Sequence, residues 1–315
     1  MSAQPRSWRV AIVGVNSAGL FLLESLSLNS DITLCAAFDD DPARRQLAAN
    51  FGCKLAESAA WRLELDCLDV IFFMESVNEH DVQLASCHGK HVVIGQPWLF
   101  NSTQLKSLAD LAISSGRVAS YVCQWRFTSE FAAVTNVNSS GRLGLLHFVA
   151  WSCFEQRLAD ERHSVAARRQ IQFQLFDQLL LLVTATPRQV FALGQNQGDQ
   201  RCFTDFMTAI EFDNSCVAQI QMRMDSLLSQ RSGWLLEGGQ GSYRNDRLYT
   251  RSTDGEIIDE PVPLPKHGVN LSIQDMIRTW CGGSAQSASL IHAAGVMQLI
   301  EASTESAAAK AVVNV

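Results

Sequence analysis

The chain has 315 residues and a net charge of −7 at neutral pH. Because a single hydrophobic core stops growing near about 250–300 residues, this length favours two domains. The hydrophobic content of 47% excludes an intrinsically disordered protein. The acidic balance argues against a nucleic-acid partner, since such proteins need a basic surface.

The first fourteen residues contain no long apolar run before a small-residue cleavage site, which argues against a signal peptide. The apolar run at residues 179–183 is far shorter than the roughly 20 residues needed to cross a bilayer. The nine cysteines are scattered, and none forms the close pairs typical of zinc sites. We therefore expect a cytoplasmic protein with buried, reduced thiols, no metal and no membrane partner.

The first part of the chain alternates short apolar runs with helical patterns. Strands are predicted at residues 8–14, 32–38, 69–74, 91–94 and 118–123, and helices at residues 20–28, 42–50 and 103–114. Apolar strands that alternate with helices are typical of a doubly wound parallel sheet with both faces covered. The sequence therefore predicts an α/β fold whose N-terminal domain, residues 1–126, is a Rossmann domain.

In the rest of the chain, residues 127–315, most predicted strands follow one another directly instead of alternating with helices. Strands are predicted at residues 145–153, 189–193, 203–212, 217–224 and 234–237, and helices at residues 171–182, 273–280 and 288–308. This order predicts an α+β domain with a large, mostly antiparallel sheet. Three prolines within residues 254–267 predict a surface excursion there.

A glycine-rich turn follows the first predicted strand. Its sequence, Gly14-Val15-Asn16-Ser17-Ala18-Gly19, matches the dinucleotide pattern G-x-G-x-x-G with Asn16 at the middle glycine. Asn16 places a side chain where the pyrophosphate needs space, but Asn tolerates a positive φ, which would preserve the shape of the loop. Asp39 ends the second strand about 20 residues later, where an acid binds the adenosine ribose. The pattern favours NAD over NADP, and the open alternative is a turn that no longer binds a nucleotide.

Further motifs follow in a familiar order. They comprise Ser76 and His80 after the 69–74 strand, a Gly-Lys-His-Val segment at residues 89–92 that leads to Gln96 and Pro97, a Glu-Gly turn at residues 235–242, and a closing helix at residues 300–312. With these motifs the chain resembles the glucose-fructose oxidoreductase / inositol dehydrogenase / MocA (Gfo/Idh/MocA) family over nearly its whole length. The resemblance implies an NAD(P)-binding oxidoreductase. The implied cofactor-binding positions are Gly14, Asn16, Ser17, Ala18, Gly19, Asp39, Ser76, His80 and Gln96.

The departures from the family pattern concern proton transfer. The family has a lysine beside the nicotinamide, and Gln96 stands at its position. The family's second domain carries Asp-x-Gly-x-His-x-x-Asp, and here Gln170 and Gln174 replace its first Asp and its His, while Asp177 is kept. Glutamine cannot act as a general acid or base. The resemblance therefore implies lost or altered sugar or cyclitol dehydrogenase activity with no catalytic residue, or alternatively a non-catalytic dinucleotide-sensing regulator or a structural subunit.

Two further groups of residues carry hypotheses. A basic group precedes the altered motif and could bind the carboxylate or phosphate of a small polar substrate or effector, or form a solvated loop; it comprises Arg162, His163, Arg168 and Arg169. Trp98 and Trp125 could cover the nicotinamide pocket or pack in a core or an interface. Apolar residues on both faces of the strands near residues 208–210 and 216–224 predict a homo-oligomer that forms through the C-terminal sheet.

Overall fold

The computed structural model describes residues 7–75, 77–154, 165–195, 205–223, 230–265, 269–281 and 288–315. The chain divides into two compact units. The first consists of residues 1–124 and 268–294, and the second of residues 125–267 and 295–315. The segment 268–294 thus groups with the first unit, although it lies beyond the predicted N-terminal domain.

The first unit contains a parallel sheet of six strands. They are β1 (Trp8–Val13), β2 (Ile32–Phe38), β3 (Lys54–Ala56), β4 (Val70–Phe73), β5 (His91–Ile94) and β6 (Ala119–Tyr121). Their order is β3-β2-β1-β4-β5-β6, and every neighbouring pair is parallel. This is the strand order of the Rossmann fold, in which the chain reverses its direction of travel between β1 and β4. The predicted doubly wound parallel sheet is confirmed.

Helices α1 (Ser17–Ser27), α2 (Pro42–Ala48), α3 (Glu79–Cys87) and α4 (Ser102–Ser114) connect these strands. A later helix, α7 (Val269–Trp280), adds Ile273, Met276 and Trp280 to the buried cluster that contains β1 and α1 residues. Three apolar residues at helical spacing explain why this segment needs a core to cover it. Ser289 also bridges to Ser120 of β6, so the segment 268–294 contacts this sheet at two places.

The second unit contains a nine-stranded sheet. Its strands are β7 (Leu146–Phe154), β8 (Pro187–Gln195), β9 (Asp205–Phe212), β10 (Val217–Arg223), β11 (Gln230–Gly238), β12 (Gly241–Arg244), β13 (Arg247–Arg251), β14 (Ile257–Pro261) and β15 (Val313–Asn314). The order is β14-β13-β12-β11-β7-β10-β9-β8-β15, and β7 with β10 forms its parallel pair. Its helices are α5 (Ser129–Ser139), α6 (Val165–Leu182) and the part of α8 (Leu290–Ala309) that begins at residue 295. The predicted mostly antiparallel sheet is confirmed.

Two details differ from the predictions. The region predicted as a surface excursion contains β14, an edge strand that pairs with β13 and is largely exposed. Proline is tolerated on such an edge because no ladder hydrogen bond is lost there. Helix α5 and the short strands β3, β12, β13 and β15 were not predicted. In β9 every second residue is buried, and the open face of this strand carries the apolar residues Met207 and Ala209, as the sequence predicted.

Of the eight cysteines in the described ranges, all are free thiols, and three of them are exposed: Cys67, Cys87 and Cys281. The expectation of uniformly buried thiols is therefore wrong.

No group of histidine, cysteine and carboxylate side chains in the described residues could hold a metal ion. Among the helices of the described ranges, none combines the length and the apolar character needed to span a bilayer.

Candidate nucleotide site

The glycine-rich turn lies between β1 and α1 in the first unit. Gly14 has φ +93°, and a Cβ atom at this position would lie 2.6 Å from both the backbone nitrogen and the Cβ of Glu75. A Cβ on Gly19 would overlap the carbonyl oxygen of Gly14. Both positions therefore require glycine, the first for a tight turn and the second for close helix–strand packing, as the dinucleotide pattern demands.

Asn16 caps α1. Its side-chain oxygen accepts the Gly19 N–H at 2.9 Å, and its Nδ2 donates to the carbonyl oxygen of Met74 at 3.3 Å. The backbone of Asn16 has φ −69° and ψ −177°, so the expectation that a positive φ preserves the loop is wrong. N-capping preserves it instead, because Asn at the position just before a helix accepts an otherwise unpaired N–H of the first turn. Ser17 and Ala18 are exposed residues at the start of the helix, where backbone N–H groups have no intrahelical acceptor and suit an anion.

Asp39 directly follows β2 and is 4% exposed. Its Oδ2 accepts the Val15 N–H at 2.6 Å, and its Oδ1 accepts the Asp41 N–H at 2.8 Å. These two bonds fix the carboxylate against the first residues of the glycine-rich turn. A carboxylate has about four acceptor positions, so Asp39 retains capacity to accept hydrogen bonds from ribose hydroxyls.

Glu75 and Arg44 were not predicted as site residues. Arg44 Nη1 lies 2.5 Å from Glu75 Oε2 and 3.8 Å from Asp39 Oδ2, while its Nε lies 3.7 Å from Asp41 Oδ2. Glu75 raises the pKa of the Arg44 guanidinium through its charge. No sequence motif marks this pair, because the two residues lie 31 positions apart.

Three predicted cofactor-binding residues lie outside the glycine-rich turn and Asp39, namely Ser76, His80 and Gln96. His80 is an exposed residue near the start of α3, and the half-buried Gln96 follows β5 and begins a short 3-10 turn. Both follow carboxyl ends of strands in the same sheet. Within the described residues, no hydrogen bond or ion pair joins either of them to residues 14–19, and Ser76 lies outside the described ranges.

Polar residues of α6 form a buried network in the second unit. Gln174 accepts the Trp125 N–H at 3.3 Å, and Gln178 donates to the Trp125 carbonyl at 2.7 Å. Asp177 receives two hydrogen bonds from Arg126, at 2.6 and 2.8 Å, and both side chains are almost fully buried. Gln174 and Asp177 therefore have structural partners, since they hold the backbone and side chain of residues 125–126.

Two further α6 residues are buried with an unpaired polar atom. Arg168 is 5% exposed and Gln172 is 3% exposed, and neither Arg168 Nε nor Gln172 Nε2 has a hydrogen-bond partner among the described residues. Their spacing of four places them on one helix face.

The other predicted residues of these groups have different environments. Arg169, of the same predicted basic group, is half-buried, and Gln170 is exposed. Arg162 and His163 lie outside the described residues. Trp98 is buried in the first unit, which agrees with a packing role.

The fold can be compared with solved structures. An NAD-binding protein from Listeria innocua is 21% identical with a TM-score of 0.83, and the match covers 98% of this chain and 97% of that one. An oxidoreductase from Agrobacterium radiobacter, in complex with NAD+, L-tartaric acid and magnesium, is 16% identical with a TM-score of 0.79 and 98% coverage of both chains. An aldose-aldose oxidoreductase from Caulobacter crescentus is 15% identical with a TM-score of 0.79, covering 98% of this chain and 100% of that one. No family model and no curated protein matches the sequence.

The chain has a Gfo/Idh/MocA-type fold. Two of these solved structures are described with NAD, one as an NAD-binding protein and one as a complex with NAD+, so a dinucleotide is the ligand to compare with this turn. The close approach at Gly14 and Gly19, the capped start of α1 and the buried Asp39 fit it. Gln96, Gln170 and Gln174 are the residues that the resemblance assigns to the Lys, Asp and His positions of the Gfo/Idh/MocA pattern, and this assignment stays a prediction.

Proposed function

We propose that the chain is a member of the Gfo/Idh/MocA family that holds NAD at residues 14–19 and Asp39. The observation that carries the proposal is the turn itself, where Gly14 has φ +93° and Asp39 is anchored to the Val15 N–H. The N-terminus of α1 supplies N–H donors to the pyrophosphate, and Asp39 supplies the acceptor for the adenosine ribose. Bound NAD would supply a hydride acceptor. NAD is favoured over NADP because the Asp39 carboxylate repels a 2′-phosphate.

We further propose that sugar or cyclitol dehydrogenase activity is lost or altered. A general acid or base contributes roughly 10²–10⁴-fold to such a reaction, and glutamine supplies neither. Gln174 is also engaged with the Trp125 backbone, and Gln170 is exposed. A substrate that needs no proton from these positions, oriented by Gln96 or by water, is compatible with the site.

Two alternatives have different consequences. A non-catalytic regulator that senses dinucleotide would bind NAD or NADH without turnover. A structural subunit would bind neither. Calorimetric titration of the intact protein with NADH and with NADPH separates them: we expect binding with preference for NADH, and absence of binding of both at millimolar concentration would leave only the structural subunit.

Turnover is tested with NAD and a panel of sugars and cyclitols, followed at the absorbance of NADH. We expect no turnover by the wild-type chain. The double variant Gln96→Lys, Gln174→His restores the family's proton-transfer groups, and a gain of activity in it would show that only these groups are missing. A clear rate with the wild-type chain would refute the loss of conventional activity.

We also propose that two copies of the chain associate through the open face of the second unit's sheet. Met207 and Ala209 are half-buried on that face, and Leu193 and Val217 are 44% and 41% exposed. An apolar sheet face of this kind favours a second copy as its cover. Light scattering tests this: Met207→Arg should give a monomer, and the control Leu28→Arg, at an exposed position of the first unit, should not. A monomeric wild-type chain would refute the proposal.

A small polar substrate or effector is the proposed ligand of the second unit. The unpaired donors of Arg168 and Gln172 support it, because two buried N–H groups on one helix face suit the oxygens of a carboxylate or phosphate. The cytoplasm is the proposed compartment, supported by the free thiols of the described cysteines.

A further inference from the structure

An ion pair crosses the crevice outside the carboxyl ends of β2, β1 and β4. In a sheet of this order, β1 lies between β2 and β4, and the chain reverses direction at this point. Ligands of open α/β sheets bind in the crevice at such a switch point. A dinucleotide that reaches residues 14–19 must therefore pass over the end of β1.

Glu75 lies directly over Gly14. Its backbone nitrogen and Cβ are each 2.6 Å from the place of a Gly14 Cβ, so no residue stands between them. Arg44 belongs to α2, which follows β2, so it contacts Glu75 from the β2 side of the glycine-rich turn. The Arg44 guanidinium contacts Glu75 at 2.5 Å and lies 3.8 Å from Asp39. The Arg44–Glu75 bridge thus runs from the end of β4 to the end of β2 above the glycine-rich turn.

The three carboxylates around Arg44 differ in their other partners. Asp39 accepts the N–H groups of Val15 and Asp41, and the Asp41 side chain accepts the Ala43 N–H at 2.8 Å to cap α2. Among the described residues, the Glu75 carboxylate accepts from Arg44 alone. Glu75 can therefore leave the cluster without breaking a backbone hydrogen bond, whereas Asp39 and Asp41 cannot.

We propose that Glu75 competes internally with the pyrophosphate of a dinucleotide, and that Arg44 exchanges the Glu75 carboxylate for a phosphate when the dinucleotide binds. This inference rests on the proposed dinucleotide binding and adds how the affinity for the dinucleotide is regulated. An anion over the turn repels a second anion at the same place, and a freed guanidinium pairs well with phosphate oxygens. The bridge consequently lowers the affinity of the chain for NAD and NADH.

The test is isothermal titration calorimetry of the full chain with NADH and with NADPH. Glu75→Gln keeps the shape and an acceptor for Arg44 but removes the charge, and we expect it to bind NADH roughly tenfold more tightly than the wild-type chain. Arg44→Gln should bind roughly tenfold more weakly than Glu75→Gln. Glu64→Gln is the matched control, because Glu64 pairs with Lys54 at the edge strand β3, and its affinity should equal that of the wild-type chain.

The outcomes separate the two proposals. Binding by Glu75→Gln without binding by the wild-type chain would support the internal competition in its strongest form. Equal NADH affinities of the wild-type chain and Glu75→Gln would overturn it while leaving dinucleotide binding intact. Tightening for NADPH alone would assign Arg44 to the 2′-phosphate and overturn the exchange at the pyrophosphate. Failure of all forms to bind either dinucleotide would overturn the proposed function itself, and thermal unfolding of each variant verifies that it is folded.

Discussion

His91 makes the stability of the first unit sensitive to acid. It is 7% exposed on β5, and its ring lies 5.4 Å from that of Trp8 and 6.4 Å from that of Trp280, centroid to centroid. Its Nδ1 accepts the Val118 N–H at 3.1 Å, which requires this nitrogen to be unprotonated. Burial, followed by the positive charge of Arg117, lowers the His91 pKa from 6.5 to about 4, against an opposing effect of Asp69.

The magnitude follows from linkage. Between pH 6.5 and pH 4 the unfolded chain binds a proton at His91 that the folded chain does not, so stability falls as the pH is lowered through this range. With one pKa unit worth about 1.36 kcal/mol, the histidine removes on the order of 2–3 kcal/mol from the free energy of unfolding between pH 7.5 and pH 4.5. Well above pH 6.5 neither state binds this proton, so the destabilisation is absent and stability no longer depends on His91 titration.

Urea unfolding at pH 7.5, 5.5 and 4.5 measures the effect. In His91→Asn the side-chain oxygen can still accept the Val118 N–H but does not titrate. This variant should be less stable at neutral pH because ring contacts are lost, yet its free energy of unfolding should fall by on the order of 2–3 kcal/mol less on acidification. His88→Asn, at an exposed position after α3, is the matched control and should keep the wild-type slope. Identical pH slopes for the wild-type chain and His91→Asn, or a His91 NMR titration near pH 6.5, would refute the reasoning.

Three further substitutions test the geometry. Gly14→Ala should destabilise the chain by about 2–3 kcal/mol and abolish dinucleotide binding, because alanine is strained at φ +93°; calorimetry and urea unfolding measure both. Arg126→Leu should cost about 3–5 kcal/mol because the buried Asp177 carboxylate loses both hydrogen bonds from Arg126, and Arg126→Leu combined with Asp177→Leu should recover most of it; equal stability of the single and double variants would contradict this. Gln172→Met should raise the free energy of unfolding by about 1 kcal/mol by removing an unpaired buried donor, and a loss in urea unfolding would show that the donor has a partner.

The Rossmann sheet could be predicted because its strands are continuous apolar runs, such as the four buried residues of β4 and of β5. The assignment of α7 to the first unit could not. Helical spacing of Ile273, Met276 and Trp280 shows that one face is buried, but periodicity does not indicate which core buries it. Strand β14 was missed because its residues are exposed on an edge and carry no apolar alternation.

At the site, the sequence predicted the roles of Gly14 and Gly19 but not that of Asn16. The pattern interpretation placed the Asn16 side chain toward the ligand, whereas the structure turns it to the Gly19 N–H. Asn as the first residue before a helix is a capping signal that could have predicted this. The Glu75–Arg44 contact joins residues 31 apart in sequence, and no local pattern reports such a pair.

The choice between a ligand-binding chain and a structural subunit depends on Glu75 more than on the glycines. Gly14 and Gly19 are required by backbone packing whether or not a dinucleotide binds, and both oxygens of Asp39 hold backbone N–H groups in either case. Arg44 and Glu75 form an ion pair whose side chains are 39% and 35% exposed, and exposed pairs stabilise a fold little. Removing the Glu75 charge should therefore leave folding unchanged in both cases. Only in a ligand-binding chain should it change the affinity for a dinucleotide.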